Sequence, residues 1–518
     1  MEKRVAIIGA GLSGLLACKY ILNKGFKPTV FEEEARIGGV WAKTMESTRL
    51  QNIREGYQFS DFPWPSTVKD LHPNHIQVIE YLEAYADFFK ILPCIKFNSK
   101  VIGIDYVGES FQEMESWDLW GGNGKAFGSK GKWHIKVQET NNCRLEEYHF
   151  EFLILCIGRF SGYPNIPEFP PNKGPEVFKG KVKHSMDFSA LDNATVANFV
   201  EGKKVAVIGS HKSAVDIAAE CASTNGVKYP CTVVQRTAHW FLPSTFFSGL
   251  LLGFLYANRF SELLVHKPGE TFRLALLATL LSPLRWAISK FMENYLRWNF
   301  PLKKYGMLPK WSFDEDLSAC QIAILPEKFF DKLEEGSIII KNSKNFSFCS
   351  EGLIIDGEAK PLEIDVVIYA TGFKGYEKLK TIFESSVFQE YIQAAAPVLL
   401  YRQVLHPRIP QLAIIGYNES LSSLGNSEMK SMWLAHFLDG SLKLPCIREM
   451  EKEAKMWGDH IRKFTGRYRK RACISNTTIW YNDQICKDMG YNPRRKNGFL
   501  SDLFIPYAST DYAGLTIK

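Results

Sequence analysis

The chain has 518 residues, enough for two or three domains and too many for a single small binding module. Apolar residues make up 46% and charged residues 23%, which excludes disordered, collagen-like and disulfide-scaffold chains and predicts a large core. Against 56 Asp and Glu stand 63 Lys and Arg, a net +7 with no basic block, so the balance tolerates an anionic ligand and excludes a nucleic-acid arm.

Eleven cysteines are scattered from Cys18 to Cys486 with no CxxC pair and an odd count. They predict reduced thiols in the cytoplasm, with neither a metal site nor a disulfide framework. Met1-Glu2-Lys3-Arg4 leads directly into Val5-Ala6-Ile7-Ile8-Gly9, leaving no room for a signal peptide, so no export signal is expected.

In chain order, a strand Arg4 to Ile8 is followed by a glycine turn, Gly9-Ala10-Gly11-Leu12-Ser13-Gly14, a helix to Leu22 and a strand Pro28 to Phe31, which together form one βαβ unit. In such a unit Gly9 makes the tight turn, Gly11 lets backbone approach a pyrophosphate and Gly14 lets helix and strand close up. Glu32 ends the second strand where an acidic side chain accepts hydrogen bonds from a ribose, and its charge repels a 2′-phosphate. This site therefore suits FAD or NAD over NADPH. Gly38-Gly39-Val40-Trp41 offers a second close approach of backbone to that cofactor.

Strands are expected at Trp133 to Val137 and Tyr148 to Cys156, then a Gly/Pro-rich crossing from Gly158 to Pro170. A second strand-turn-helix runs through Val205-Ala206-Val207-Ile208 and Gly209-Ser210-His211-Lys212-Ser213-Ala214 to a helix ending near Ala222. It departs from the glycine pattern: His211 must turn its ring away from the phosphates, moving the phosphate contact to Lys212 and Ser213. Arg236, after the strand Thr232 to Val234, stands where a guanidinium grips a 2′-phosphate, so this site suits NADPH.

From Trp240 to Leu308 the chain is rich in Leu, Phe and Trp and reads as inserted helices. Core packing is the first explanation. The alternatives are a substrate-channel cover and a membrane-facing surface, because Arg259, Lys267, Arg273, Arg285, Lys290 and Arg297 interrupt the insert at amphipathic spacing. Its apolar runs, Phe246 to Ala257 and Leu274 to Leu284, fall short of the roughly 20 residues of a spanning helix. A strand pair near Ser337 to Ile355 and a strand Val366 to Ala370 follow. The predicted fold is α/β, with two Rossmann-like dinucleotide-binding domains, the second inserted in the first: residues 1–162, then 163–374 with the insert at about 240–308, then 375–518.

Between the two turns, Phe178 to Phe188 fits FxGxxxHxxx[YF], and with the turns it resembles the flavin-containing monooxygenases. Ala370-Thr371-Gly372-Phe373 is similar to that family's ATG[YF] strand end and Asp61-Phe62-Pro63 to its DFP segment. The resemblance covers nearly the whole chain and is closest to the plant, defence-associated branch that forms N-hydroxypipecolate. It implies that NADPH reduces FAD, that dioxygen adds at flavin C4a, and that the hydroperoxide oxygenates a nucleophilic nitrogen. Gly372 then contacts cofactor, and Asn52 or its neighbour Gln51 hydrogen-bonds near the flavin edge. His184 has no metal partners nearby in sequence and reads as a packing or nucleotide-orienting residue.

The implied partners are dioxygen and a small amine, amino acid or thioether, with cytoplasmic residence or peripheral contact at the endoplasmic reticulum. S-oxygenation, oxidative decarboxylation of a 2-oxo acid and non-catalytic FAD/NADPH binding are the competing functions. A pyridine-nucleotide disulfide reductase is disfavoured by the missing cysteine spacing.

Overall fold

The computed structural model describes residues 3–393, 398–465 and 472–515, so Met1 and Glu2, where the N-terminal reading starts, lie outside the described residues. Two five-stranded parallel sheets organise the chain. The first runs in the order Leu412–Ile414, Phe152–Leu155, Arg4–Ile8, Lys27–Phe31, Ile95–Lys96. The second runs Ile338–Asn342, Cys231–Gln235, Val205–Ile208, Val366–Tyr369, Lys181–His184. In each sheet the strand that leads into a glycine turn is central. Its residues from Val5 to Ile8 or Val205 to Ile208 are buried, as expected of apolar strands covered on both faces. The first sheet is thus built from both ends of the chain, and the second from residues between them.

The strand expected from Tyr148 to Cys156 divides at Glu151. Leu145–Phe150 belongs to an antiparallel meander with Ser99–Val107 and Lys132–Glu139, and Phe152–Leu155 enters the first parallel sheet. Arg4 and Glu151 hold the switch, the Arg4 N–H donating to the Glu151 carboxylate at 3.0 Å and the Glu151 N–H to the Arg4 carbonyl at 3.1 Å. Likewise, the expected pair near Ser337 to Ile355 is two separate things. Ile338–Asn342 pairs in parallel with Cys231–Gln235, while Phe346–Cys349 and Gly352–Ile355 form a hairpin.

The DFP segment is scaffold. Asp61 accepts from the buried Lys19 ammonium at 2.5 Å, and Trp64 stacks on Tyr81 with centroids 3.9 Å apart. Next to it, Glu428 accepts from the Tyr20 hydroxyl at 2.8 Å and from the Ser60 hydroxyl and N–H at 2.9 and 3.0 Å. This ties the helices Leu12–Asn23 and Ser423–Leu438 to that segment.

Burial pushes the Glu428 carboxyl up to about 7, against the pull of the Lys19 ammonium and the Tyr20 and Ser60 hydrogen bonds. A folded value above the unfolded one means the native chain holds a proton that the unfolded chain has lost. The stabilisation is therefore complete below the ordinary carboxyl value of 4.5 and disappears as pH rises to 7, by about 1.4 kcal/mol per pH unit. Glu428→Gln should lack this slope, so its melting temperature relative to the wild type should climb between pH 5 and pH 7. Parallel melting profiles would refute the assignment.

The reduced-thiol expectation fails at two of the eleven cysteines. Cys320 and Cys473 are joined in a disulfide with Cα atoms 5.7 Å apart and a sequence separation of 153. A pairing so distant leaves no local spacing to read, and on the chain-entropy account closing that loop stabilises the fold by about 5 kcal/mol.

The insert forms the helices Phe246–Tyr256, Arg259–Leu263, Phe272–Leu280 and Ser282–Asn299. Core packing accounts for one face of them, with Tyr256, Met292 and Leu296 buried in the second core, but not for Phe272, Trp286 and Trp298, which are 82%, 64% and 86% exposed.

Candidate functional site

A cavity of about 790 Å³ runs along the second glycine turn and reaches the first lobe. Gly209, Ser210, His211, Ser213 and Arg236 line it from the second lobe, and Gln51, Asn52, Leu421 and Ser423 close its other end. Leu421 lies between the first-sheet strand Leu412–Ile414 and the helix Ser423–Leu438, which Ser423 begins and which packs on Leu12–Asn23. The cavity therefore reaches from the second glycine turn to the first lobe, but none of the predicted first-site residues, Gly9, Gly11, Ser13, Gly14, Glu32, Gly38, Gly39 and Trp41, lines it.

The helix Lys212–Asn225 starts from His211 with no side-chain cap, and Leu12–Asn23 starts from Gly11 in the same condition. Elsewhere caps are common, as at His75–Phe88, where Asn74 and Gln77 form a reciprocal box. Two uncapped N-termini at two glycine turns leave backbone N–H groups and positive helix ends free for phosphates, which is a fit for two dinucleotides.

At the first turn, Gly11 lies against Gly39, whose added Cβ would come within 3.1 Å of the Gly11 Cα, so the two glycine segments form one surface. Gly38 donates its N–H to the Ala10 carbonyl at 3.1 Å, and the Trp41 indole donates to the Tyr57 hydroxyl at 3.1 Å. Ser13 shares a 3.2 Å hydrogen bond with Ser427, in room that Gly416 leaves by lacking a side chain. Gly9 and Gly14 meet each other and the Cys156 backbone at closest packing.

The Glu32 carboxylate accepts from the Ala10 and Glu34 N–H groups at 2.6 and 3.0 Å, and burial pushes it above the usual carboxylate range. It fixes the glycine turn itself, a role the ribose reading did not include.

At the second turn, an added Cβ on Gly209 would stand 2.5 Å from the Ala370 carbonyl, so the strand end Val366–Tyr369 and this turn are in backbone contact. The His211 ring nitrogen Nε2 lies 2.9 Å from the Gln321 carbonyl, which holds the ring in place. Ala214 is fully buried beneath the turn. Lys212 departs from expectation. Its ammonium pairs with Asp216 at 2.7 Å, one helical turn on, and it does not line the cavity. Gly372 does line it, accepting from the Asn165 N–H at 2.9 Å.

Arg236 is exposed at the cavity, directly after Cys231–Gln235. Lys344 lines the same cavity and follows the neighbouring strand, in which Asn342 is the register partner of Gln235. Neither side chain has an acidic partner among the described residues. Sequence reading missed Lys344 because its position depends on the parallel pairing of distant strands.

The Asn52 amide donates to the Leu421 carbonyl at 2.8 Å, and the Asn52 carbonyl lies 3.0 Å from His72 Nδ1, whose ring burial keeps toward the neutral form. Gln51 is exposed and lacks a side-chain hydrogen bond among the described residues. Of the two candidate amides, Asn52 is the anchored one. Glu419 lines the cavity nearby and accepts from Arg159 at 2.8 Å, an ion pair whose side chains are both largely buried. His184 accepts the Met186 N–H at 3.1 Å, capping the helix Ser185–Ser189, and meets Phe373 edge-on.

Residues 2–506 match the flavin-binding monooxygenase-like family. The chain is 42% identical to the protein of Arabidopsis thaliana named probable flavin-containing monooxygenase 1, over 99% of this chain and 96% of that one. Among solved structures, it resembles the OTEMO complex with FAD and NADP with a TM-score of 0.65 at 17% identity, over 94% of this chain and 98% of that one. It also resembles the S-allyl-L-cysteine S-oxygenase of Allium sativum with a TM-score of 0.58 at 18% identity, over 95% and 89%.

Proposed function

The chain belongs to the flavin-binding monooxygenase-like family, and on that premise we propose that it uses FAD, NADPH and dioxygen to place one oxygen atom on a nucleophilic nitrogen of an amine or amino acid, pipecolate or a close relative. The observation that carries this reading is the cavity along the second glycine turn, which Asn52, Leu421 and Ser423 extend to the first lobe, together with an uncapped helix at each glycine turn and two cations, Arg236 and Lys344, that have no acidic partner among the described residues. When bound, a reduced flavin supplies the oxygen-activating chemistry.

The chain's own residues do the rest. Backbone N–H groups at Gly11 and His211 bind phosphates, and Arg236 with Lys344 selects the phosphorylated nicotinamide nucleotide. Asn52, held by Leu421, keeps a fixed amide at the flavin edge. Leu242, Leu252, Leu317 and Ile322 on the cavity wall exclude water. Incubating purified protein with NADPH, FAD and either pipecolate or a thioether should give an oxygen-bearing product from the first. NADPH consumption that never adds oxygen to an amine or amino acid would overturn the reading.

The insert supports a second contact, with a membrane surface. Among the described residues no single helix is long and apolar enough to cross a membrane, and the pair Phe272–Leu280 and Ser282–Asn299 is bent by 48°. Its exposed Phe272, Trp286 and Trp298, with the exposed cation Arg273 among them, suit insertion of aromatic tips beside anionic headgroups, on the cytoplasmic face of the endoplasmic reticulum. The protein is expected to float with anionic vesicles and to do so less after Phe272→Ser plus Trp298→Ser. Protein that stays at the bottom of the gradient would exclude this contact.

A further inference from the structure

The disulfide lies at the cavity. Cys320 is part of the lining and partly exposed, whereas Cys473 is 5% exposed behind it. Each sulfur belongs to a different lobe. Cys320 precedes Ala323–Ile324, which pairs with Phe241–Leu242 in the second lobe. Cys473 is held to the first lobe by its neighbours, since the Glu419 N–H donates to the Ala472 carbonyl at 2.7 Å and the Ile474 N–H to the Glu419 carbonyl at 2.8 Å. The S–S bond therefore ties the two lobes together at the cavity wall.

Two further features attach chemistry to this bridge. The Ser475 hydroxyl lies 2.9 Å from the Cys320 sulfur and 3.2 Å from the Cys473 sulfur, so one donor reaches both. And Cys320 directly precedes Gln321, whose carbonyl holds the His211 ring at the start of the second nucleotide helix. A covalent chain thus leads from Cys473 to Gln321, one hydrogen bond from the His211 that precedes the nucleotide helix.

We propose that Cys320–Cys473 is a thiol–disulfide exchange site, opened by a dithiol reductant that enters the cavity, and that its opening loosens the grip on the nicotinamide nucleotide. The reductant's thiolate attacks the Cys320 sulfur, the S–S bond breaks, and the Cys473 sulfur leaves as a thiolate that receives a hydrogen bond from Ser475. The reductant's second thiol then displaces the Cys320 sulfur and closes the reductant's own disulfide. Two electrons and two protons pass from the dithiol to the protein, leaving two protein thiols. Attack at Cys320 is the accessible direction, and the buried Cys473 is the leaving group. In a reducing compartment, disulfides that persist are of this redox-responsive kind. Once opened, the bridge no longer holds the loop carrying Gln321 against the Cys473 segment, and His211 loses a fixed partner.

This inference rests on the nucleotide-cavity reading above, so its test includes readouts that do not need the cofactor. Thiol titration of the denatured chain, isolated without reductant, should find 9 free thiols, the number of unbridged cysteines, and dithiothreitol should add two more. Hydrogen–deuterium exchange at residues 318–323 and 472–476 should rise on reduction, and the NADPH dissociation constant should weaken about tenfold. Cys320→Ser and Cys473→Ser should each have the weaker constant and ignore dithiothreitol, whereas Cys94→Ser should respond as the wild type does. Ser475→Ala should slow the reduction. A full set of free thiols before reduction would overturn the proposal, as would exchange and NADPH binding that dithiothreitol leaves unchanged. Failure to bind NADPH in either redox state would instead defeat the nucleotide reading, with the thiol count and the exchange still deciding whether the bridge opens.

Discussion

A chain carrying Gly14→Ala is expected to purify without yellow colour even when FAD is supplied. The added Cβ would stand 1.9 Å from the Gly9 carbonyl oxygen and 3.0 Å from its carbon, both backbone atoms. Gly9 cannot retreat, because it holds a φ of +100° and its own Cβ position is closed by the Cys156 carbonyl at 2.6 Å. The helix Leu12–Asn23 must therefore move off the central strand, by roughly an ångström, and packing of that density yields only at a cost of about 1–3 kcal/mol or more. That movement also takes the helix N-terminus away from the place where a pyrophosphate would receive its N–H groups. Gly25→Ala is the matched control. At a φ of +78° it carries backbone strain, but no atom lies within 4 Å of the added methyl, so it should lose about 1 kcal/mol of stability and keep its flavin. The measurement is flavin absorbance per mole of folded protein. A Gly14→Ala chain with a full complement of flavin would remove the first turn from the cofactor site.

Both strand-turn-helix units are legible in the sequence because their requirements are local. Buried parallel strands need uninterrupted apolar residues, and the turns need glycine where backbone meets backbone, as at Gly9, Gly14 and Gly209. What escapes reading is set by pairings between distant segments. The break at Glu151 depends on Arg4, the place of Lys344 depends on the pairing of Ile338–Asn342 with Cys231–Gln235, and the disulfide joins residues 153 apart. The far wall of the cavity, Glu419 to Ser423, is brought in by the return of the chain to the first sheet, which no motif marks. Lys212 is a different case. Its partner Asp216 lies one helical turn ahead, so the ion pair that withdraws it from the phosphate site was present in the local spacing. The apolar insert shows the limit of composition, since equal numbers of Leu, Phe and Trp serve a core or an exposed face, and the helix contacts decide which.

Replacing Arg236 should separate NADPH from NADH. Its guanidinium lines the cavity, is exposed, and has no acidic partner among the described residues, so removing it leaves no buried charge unpaired and the effect reports on the ligand. A hydrogen-bonded contact to a charged group contributes about 1.5–3 kcal/mol, which corresponds to a loss of roughly 10- to 150-fold in NADPH affinity for Arg236→Ala. NADH lacks the phosphate, so its affinity should stay within about twofold and the preference between the nucleotides should collapse. Arg236→Lys should recover part of the loss, since an ammonium supplies the charge without the forked geometry. Lys344 lines the same cavity and should carry a smaller share, so Arg236→Ala with Lys344→Ala should fall below either change alone. Because the site is exposed, the wild-type advantage for NADPH should shrink as ionic strength rises, while NADH binding stays nearly flat. Equal losses for both nucleotides would assign Arg236 to the fold, and an unchanged NADPH affinity would move the 2′-phosphate site elsewhere along the cavity.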